Sequence, residues 1–146
     1  MDTGLLEMKS TFYLDRYIKA EEGDEFVFDE MKNVLDRIPS LGYKHVKIPE
    51  FEWHDLGDTI HIRRQFIKPA NMMFKHRIEL AHRIDSEQFE NKTFGIKDYF
   101  LVNFIYDGHN FWFIDFDGFG FGTPEERRVK FDRNFGDYLR QYRDKI

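Results

Sequence analysis

The sequence of 146 residues contains no cysteine, and this absence excludes several classes of protein. Without thiols the chain cannot be a disulfide scaffold, bind zinc through cysteine or use a thiol nucleophile. Its six histidines are scattered without the spacing of metal ligands, so a histidine-based metal site is not expected. No apolar run approaches the roughly 20 residues that span a bilayer, and no signal-peptide core is present at the N-terminus. These absences predict a soluble cytoplasmic protein with no membrane partner.

Basic residues are also fewer than acidic ones: the chain has 22 Lys and Arg and 27 Asp and Glu, and its net charge is −5. Nucleic-acid-binding proteins usually carry a basic patch, so we expect no nucleic-acid partner. Aromatic residues, in contrast, are abundant, with 17 Phe in the chain. The length fits a single domain over 1–146, with a core built largely from rings.

Hydrophobic periodicity in the first half predicts strands around one helix. The expected elements are a strand over Ser10–Ala20, a helix from Glu25 that Pro39 and Gly42 end, and strands over His45–Trp53 and Thr59–Ile67. In the last of these strands, Ile60, Ile62 and Phe66 fall on one face and are expected to be buried.

The second half begins and ends with a predicted helix. The first runs from an Asn71 cap to about Phe89, with Phe74, Ile78, Ala81 and Ile84 facing inward. The last starts at a Thr123-Pro124 cap and runs to about Tyr142, because Thr at N-cap, Pro at N1 and Glu at N3 are typical of a helix start. Its apolar stripe is Phe131, Phe135, Tyr138, Leu139 and Tyr142, and its basic face, expected in solvent, includes Arg127 and Arg128.

Between these helices lies the stretch around which the chain is organised, two apolar runs either side of Asp107-Gly108. The runs are Leu101–Tyr106 and Phe111–Phe116. Asp-Gly between such runs predicts a β-hairpin with a type I′ turn. The following Gly118–Gly122 run lacks the Lys-Ser/Thr of a phosphate loop, and we expect flexible backbone there.

Polar side chains mark the open end of this hairpin. Asp98 and Asn103 precede the first strand, and Asp115 and Asp117 follow the second. A hairpin brings its open ends together, so these four side chains are expected to meet. Carboxylate and amide oxygens suit a hard divalent cation such as Mg²⁺.

The spacing of Asp98, Asn103 and Asp115 resembles the catalytic and metal-binding segment of the protein-kinase-like superfamily. There an Asp opens the catalytic loop, an Asn closes it, a β-hairpin follows, and a second Asp stands at its far end. The resemblance implies an α+β, miniature two-lobed kinase-like fold. A small lobe of about 1–68 would hold an antiparallel sheet with one helix, and a reduced large lobe of about 69–146 would be helical and carry the hairpin.

The same resemblance implies ATP and Mg²⁺ as cofactors and assigns the site residues. Asp98 would orient or deprotonate the acceptor hydroxyl, and Mg²⁺ would lie on Asn103 and Asp115, with Asp117 as a further ligand or loop cap. Lys19 would hold the phosphates and pair with Glu30, for which Glu25 is a competing partner. The hinge that hydrogen-bonds adenine would be formed by Gln65, Phe66, Ile67 and Lys68.

Two departures from the family pattern leave more than one function open. The His expected two residues before Asp98 is Ile96, and no glycine-rich strand-turn-strand precedes Lys19. The first hypothesis is a minimal ATP- and Mg²⁺-dependent phosphotransferase with an unknown acceptor. The second is an inactive pseudokinase-like module that binds a protein partner, with or without nucleotide. The third is an unrelated α+β binding domain in which the spacing is a coincidence.

Overall fold

A computed structural model describes residues 12–19, 25–57, 59–87 and 93–145. Over these ranges the chain is an α+β protein of three helices and three small antiparallel sheets, which confirms the predicted class. In chain order the elements are β1 (Phe12–Lys19), α1 (Glu25–Arg37), β2 (Phe51–Asp55), β3 (Thr59–Gln65), α2 (Phe74–Glu87), β4 (Phe94–Ile96), β5 (Phe104–Tyr106), β6 (Phe111–Phe113), β7 (Phe119–Phe121) and α3 (Pro124–Lys145).

The first sheet has the order β1-β3-β2, so β3 lies in its centre. Ile60 and Ile62 of β3 are fully buried, as their alternation predicted. The prediction for Phe66 was wrong, because β3 ends at Gln65 and leaves the Phe66 side chain 47% exposed. Arg64 takes the buried position instead, and its Nη1 donates to the Gln65 carbonyl at 3.1 Å.

The strand predicted over His45–Trp53 is shorter than expected. β2 begins only at Phe51, since Pro49 has no N–H to donate to a ladder. The residues before it run beside the hairpin: the Lys47 N–H donates to the Phe111 carbonyl at 2.8 Å, and the Phe113 N–H donates to the Lys47 carbonyl at 2.9 Å. This segment therefore joins the first sheet to the hairpin.

Helix α1 buries its apolar stripe, and its tertiary contacts include β7 and the turn Phe116–Gly118. Val34, Leu35 and Ile38 are buried, and the helix gives way after Arg37 to a 3₁₀ turn that contains Pro39, as predicted. An ion pair connects α1 to the first sheet: Lys32 Nζ lies 2.8 Å from Asp55 Oδ2 at the end of β2.

Helix α2 starts two residues later than a cap at Asn71 predicts. Its first residue is Phe74, and His76 Nδ1 in the first turn accepts the N–H of the preceding Met73 at 3.0 Å. Ile78, Ala81 and Ile84 are buried as expected, together with Leu80. Phe74 is 44% exposed and was wrongly placed in the core, because it is the first residue of the helix and its ring meets the half-buried Tyr138 at a centroid distance of 5.9 Å.

The hairpin of β5 and β6 has a four-residue loop rather than a type I′ turn. Tyr106 pairs with Phe111, and positive φ occurs at Gly108 but not at Asp107. The Asp107 carboxylate closes the loop, accepting the N–H groups of His109 and Asn110 and the indole N–H of Trp112. Although burial opposes it, this set of donors lowers the pKa of Asp107.

Strands β4 and β7 pair antiparallel, with Phe94 opposite Phe121. The backbone that we expected to be flexible after Asp115 is therefore partly strand. Helix α3 then starts where predicted, and the Thr123 hydroxyl accepts the Glu126 N–H at 3.2 Å. The prediction for Arg127 was wrong: it is fully buried rather than in solvent, and its Nε donates to the Gly122 carbonyl at 3.3 Å.

One hydrophobic cluster joins elements from α1 to α3. It includes Leu35 of α1, Ile62 of β3, Phe113 of the hairpin and Phe135 of α3. Residues from both sides of the predicted boundary near 68–69 thus share a core. The division into a small and a large lobe stays a prediction.

Two glycine substitutions test this packing in opposite directions. A Cβ added at Gly95 would overlap the guanidinium of the buried Arg127 and lie 3.0 Å from the Tyr43 hydroxyl. We expect Gly95→Ala to lower the free energy of unfolding by about 1–3 kcal/mol. Gly136 lies in α3, where a Cβ would meet only the exposed Arg140 at 3.3 Å and Asp132 at 3.9 Å.

Gly136→Ala is therefore the matched control, and helix propensity raises its stability by up to about 1 kcal/mol. Urea denaturation of the three proteins checks both signs. Equal stability of the Gly95→Ala variant and wild type would contradict the close approach of Arg127 to β4.

Candidate functional site

The pairing of β4 with β7 continues past the end of β4 and fixes Asp98. The Lys97 and Asp98 N–H groups both donate to the Gly118 carbonyl, at 2.7 and 3.1 Å. The Gly118 N–H donates in turn to the Asp115 carbonyl at 2.9 Å. The backbones that carry the two aspartates are therefore joined through Gly118.

Gly118 also sets the space between the two carboxylate side chains. A Cβ at this position would lie 3.2 Å from Asp98 Cβ, 3.2 Å from Asp115 Oδ2 and 2.8 Å from Phe113 Cζ. Asp98 Cβ and Asp115 Oδ2 both lie 3.2 Å from this Cβ position, so the distance between these two atoms is at most twice that value. Asp98 and Asp115 are each half-buried.

Asn103 reaches the same end of the hairpin from the other strand. It ends a 3₁₀ turn over Leu101–Asn103, and its carbonyl accepts the Ile114 N–H at 3.0 Å. This bond extends the β5–β6 ladder by one rung, so Asn103 lies opposite the residue before Asp115. Asp117 follows in the turn Phe116–Gly118 with an exposed side chain.

The donor set consists of two carboxylates and an amide. Across the described ranges, no group of three or more His, Cys, Asp or Glu side chains is placed to hold a metal ion. Mg²⁺ is commonly bound through only one or two carboxylates, with water and substrate phosphates completing its shell. Asp115 and Asn103 fit that mode of binding, whereas a cage made wholly of protein ligands is not present among these residues.

The carboxylates lie at one particular end of the first sheet. Phe116, next to Asp115, is buried, and its ring centroid is 4.5 Å from that of Phe51. Phe51 begins β2, and the preceding Glu50 accepts the Gln65 N–H at 2.8 Å and donates its own N–H to Gln65 Oε1 at 3.3 Å. The predicted hinge therefore starts at the same end of the sheet as the aspartates.

The hinge residues differ in what their backbones contact. The Gln65 N–H and carbonyl are both engaged within the chain, and Phe66 is largely exposed. Farther on, the Ala70 N–H donates to the Tyr106 carbonyl at 2.7 Å. Ile67 is buried and Lys68 is exposed, and no hydrogen bond within the described residues engages the backbone of either. Within the predicted hinge, these two residues are therefore the ones whose backbone groups have no hydrogen bond to the described residues.

Lys19 lies at the opposite end of the first sheet. It pairs with Thr59, six residues along β3 from Gln65. At ~3.4 Å per residue the two ends are about 20 Å apart. The side chains of Lys19 and Glu25 lie outside the described part, and Glu30 is exposed on α1. The pairing of Lys19 with Glu30 or Glu25 stays a prediction, and the backbone does not bring Lys19 to the aspartates.

Two residues that the sequence analysis did not single out support the aspartate site. Gly118 is the point of closest approach, and its signal was a glycine three residues after Asp115. Tyr43 was not recognisable, because its hydroxyl reaches the Ile96 N–H, at 3.4 Å, only through the tertiary fold. Burial raises the pKa of Tyr43 to about 12.

No protein-family model, curated protein or solved structure matches this chain. Among the described helices, none combines the length and the apolar character that crossing a membrane requires. The assignment of function therefore depends on the geometry of the aspartate site itself.

Titration of Tyr43 gives a test of the packing behind Ile96. An unfolded chain loses the Tyr43 proton near pH 10, whereas the folded chain holds it until about 12. Between these pH values the unfolded state binds fewer protons, so the free energy of unfolding falls as the pH rises. Two pKa units correspond to about 2.7 kcal/mol.

Urea denaturation at pH 9 and pH 11.5 measures this loss. Wild type is expected to lose about 1.9 kcal/mol more than a Tyr43→Phe variant over that interval, because the remainder of the ~2.7 kcal/mol is lost only above pH 11.5. Tyr138→Phe removes a hydroxyl from α3 and serves as the control. If wild type and Tyr43→Phe lose the same stability, Tyr43 does not hold its proton in the folded state.

Proposed function

We propose that the chain is a minimal ATP- and Mg²⁺-dependent phosphotransferase of the protein-kinase-like type. The observation that carries the proposal is that Asp98 and Asp115 both approach Gly118. Asn103 lies opposite the residue before Asp115 in the extended hairpin ladder. Phosphoryl transfer needs few covalent contributions from the protein, because positioning and electrostatic stabilisation supply most of the catalysis. A base and a metal ligand held next to each other at the open end of the hairpin provide this positioning.

Asp98 acts on the acceptor in this proposal. Its carboxylate accepts the proton of the acceptor hydroxyl while the hydroxyl oxygen forms a bond to the γ-phosphorus of ATP. The bond between that phosphorus and the β,γ-bridging oxygen breaks, and ADP leaves with its electron pair. Asp98 Oδ1 also accepts the Phe100 N–H at 3.4 Å, which restrains the carboxylate.

The remaining site residues bind the cofactors. Asp115 and Asn103 would hold Mg²⁺, which supplies positive charge to the phosphates, and Asp117, whose side chain is exposed, would be a further ligand. The backbone of Ile67 and Lys68 would hydrogen-bond adenine at the adjacent end of the sheet. The donor set and the unengaged hinge backbone support these assignments.

The first experiment is thermal unfolding with ATP alone, with Mg²⁺ alone and with both. A ligand at 100 times its dissociation constant stabilises the folded state by about 2.7 kcal/mol. At roughly 2–4 °C per kcal/mol, the midpoint of wild type should rise by several degrees when both ligands are present. Asp115→Asn should lose this rise, because it removes the charge that holds Mg²⁺.

Asp132→Asn is the matched control, since Asp132 is exposed on α3 and the change in charge is the same. It should retain the full rise with ATP and Mg²⁺. If wild type gives no rise with both ligands, or if Asp115→Asn retains it, the proposed nucleotide–metal site is wrong.

A second candidate, the inactive pseudokinase-like module that binds a protein partner, is favoured by one observation. Lys19 lies at the end of the ladder opposite the hinge, whereas a phosphate-binding lysine would be needed near the aspartates. Without such a cation, ATP bound at the hinge would lack one of the groups that stabilise charge during transfer. This candidate predicts binding without turnover.

Release of ADP from ATP in the presence of Mg²⁺ separates the two candidates. For the phosphotransferase, Asp98→Asn should lower the rate by about 10²-fold or more and keep the thermal shift, since the base is lost and binding is not. For the inactive module, wild type and Asp98→Asn should release ADP at the same background rate. Lys19→Met, compared in the same assay, shows whether Lys19 contributes to either binding or turnover.

A further inference from the structure

In the kinase-like pattern, a His two residues before the catalytic Asp supports the loop, and no such His precedes Asp98. The His position is Ile96, whose buried apolar side chain cannot donate a hydrogen bond. A base must nevertheless be held within a fraction of an ångström of its productive position, and a displacement of 1 Å can cost about 10²-fold in rate. Other groups must therefore hold this loop.

The loop is held on one side by Tyr99. Its side chain is 1% exposed, and its hydroxyl donates to the Ile96 carbonyl, so it closes a three-residue span around Asp98. The ring packs edge-on against Phe131 of α3, with the centroids 5.9 Å apart. Tyr99 thus replaces the missing support with a hydrogen bond to the backbone.

Helix α3 fixes the same loop through Asn134. Its Nδ2 donates to the Tyr99 carbonyl at 3.2 Å, in a partly buried position. Asn134 lies one turn along the helix from Phe131, so the two residues hold the ring and the backbone of Tyr99 together. On the opposite side, the Gly118 carbonyl accepts the Asp98 N–H. The loop is therefore held between α3 and the turn Phe116–Gly118.

We propose that Tyr99 and Asn134 are positioning residues that set the Asp98 carboxylate against Asp115. This inference rests on the proposed phosphotransferase function. Neither side chain needs to touch the acceptor or ATP, because both act on the backbone atoms of residues 96 and 99. Their removal should lower the rate of the chemical step and leave the binding of ATP unchanged.

The experiment measures kcat and KM for ATP hydrolysis with Mg²⁺, in which water is the acceptor, on the full chain. Tyr99→Phe removes the hydroxyl alone, and Asn134→Asp replaces the donor by an acceptor of the same shape. Each variant is expected to lower kcat by at least about tenfold and to keep KM for ATP within about twofold. Tyr138→Phe and Asn33→Asp make the same chemical changes elsewhere and should keep wild-type kcat.

Amide hydrogen exchange gives a second measurement that needs no turnover. In Tyr99→Phe the Lys97 and Asp98 amides should exchange faster, while the Phe113 amide, bonded to Lys47, should not change. Unchanged kcat and unchanged exchange in both variants would overturn the positioning role even if wild type binds ATP and hydrolyses it. If wild type shows no thermal shift with ATP and Mg²⁺, the proposed function itself is overturned. If wild type shows the shift but does not hydrolyse ATP, the role of Asp98 as base is overturned.

Discussion

The carbonyl of Gly118 accepts two successive N–H groups, and the arrangement of the functional end depends on this one acceptor. β4 and β7 are only three residues long, so they provide little pairing of their own. The two hydrogen bonds to the Gly118 carbonyl extend the β4–β7 pairing to Asp98. Because Gly118 has no side chain, Asp115 also approaches this position. A Cβ at this position would lie 2.8 Å from Phe113 Cζ and 3.2 Å from an atom of each aspartate, so these side chains would have to shift.

Aromatic packing makes this end of the molecule rigid. The Phe113 ring contacts Phe104 and Phe119 with centroid distances of 5.0 and 4.9 Å, and Phe104 contacts Phe135 of α3 at 5.7 Å. The same rings that fill the core thus fix the hairpin, the turn after Asp115 and α3 relative to one another. Binding to such a preorganised site costs less conformational entropy than ordering a mobile loop.

Local sequence features were enough for much of the fold and for part of the site. The three helices, the strands of the first sheet and the hairpin followed from hydrophobic periodicity and turn signals, and the start of α3 followed from Thr123 and Pro124, whereas β4 and β7 were not predicted. The placement of Asp98, Asn103 and Asp115 at one hairpin end also followed, because all three lie within a short stretch around one turn. Even there the turn type was wrong, since the Asp107 carboxylate accepts hydrogen bonds that support a four-residue loop.

The sequence by itself therefore determined the three helices, the strands of the first sheet and the hairpin that carries the aspartates, but not the pairing of β4 with β7. Only the tertiary structure decided that Arg64 and Arg127 are buried, that Lys19 lies at the far end of β3 from the hinge, and that Asn134 reaches the Asp98 loop. The physical reason is separation along the chain. Periodicity and turn chemistry act between near neighbours, whereas strand register and helix docking are set by contacts among residues tens of positions apart.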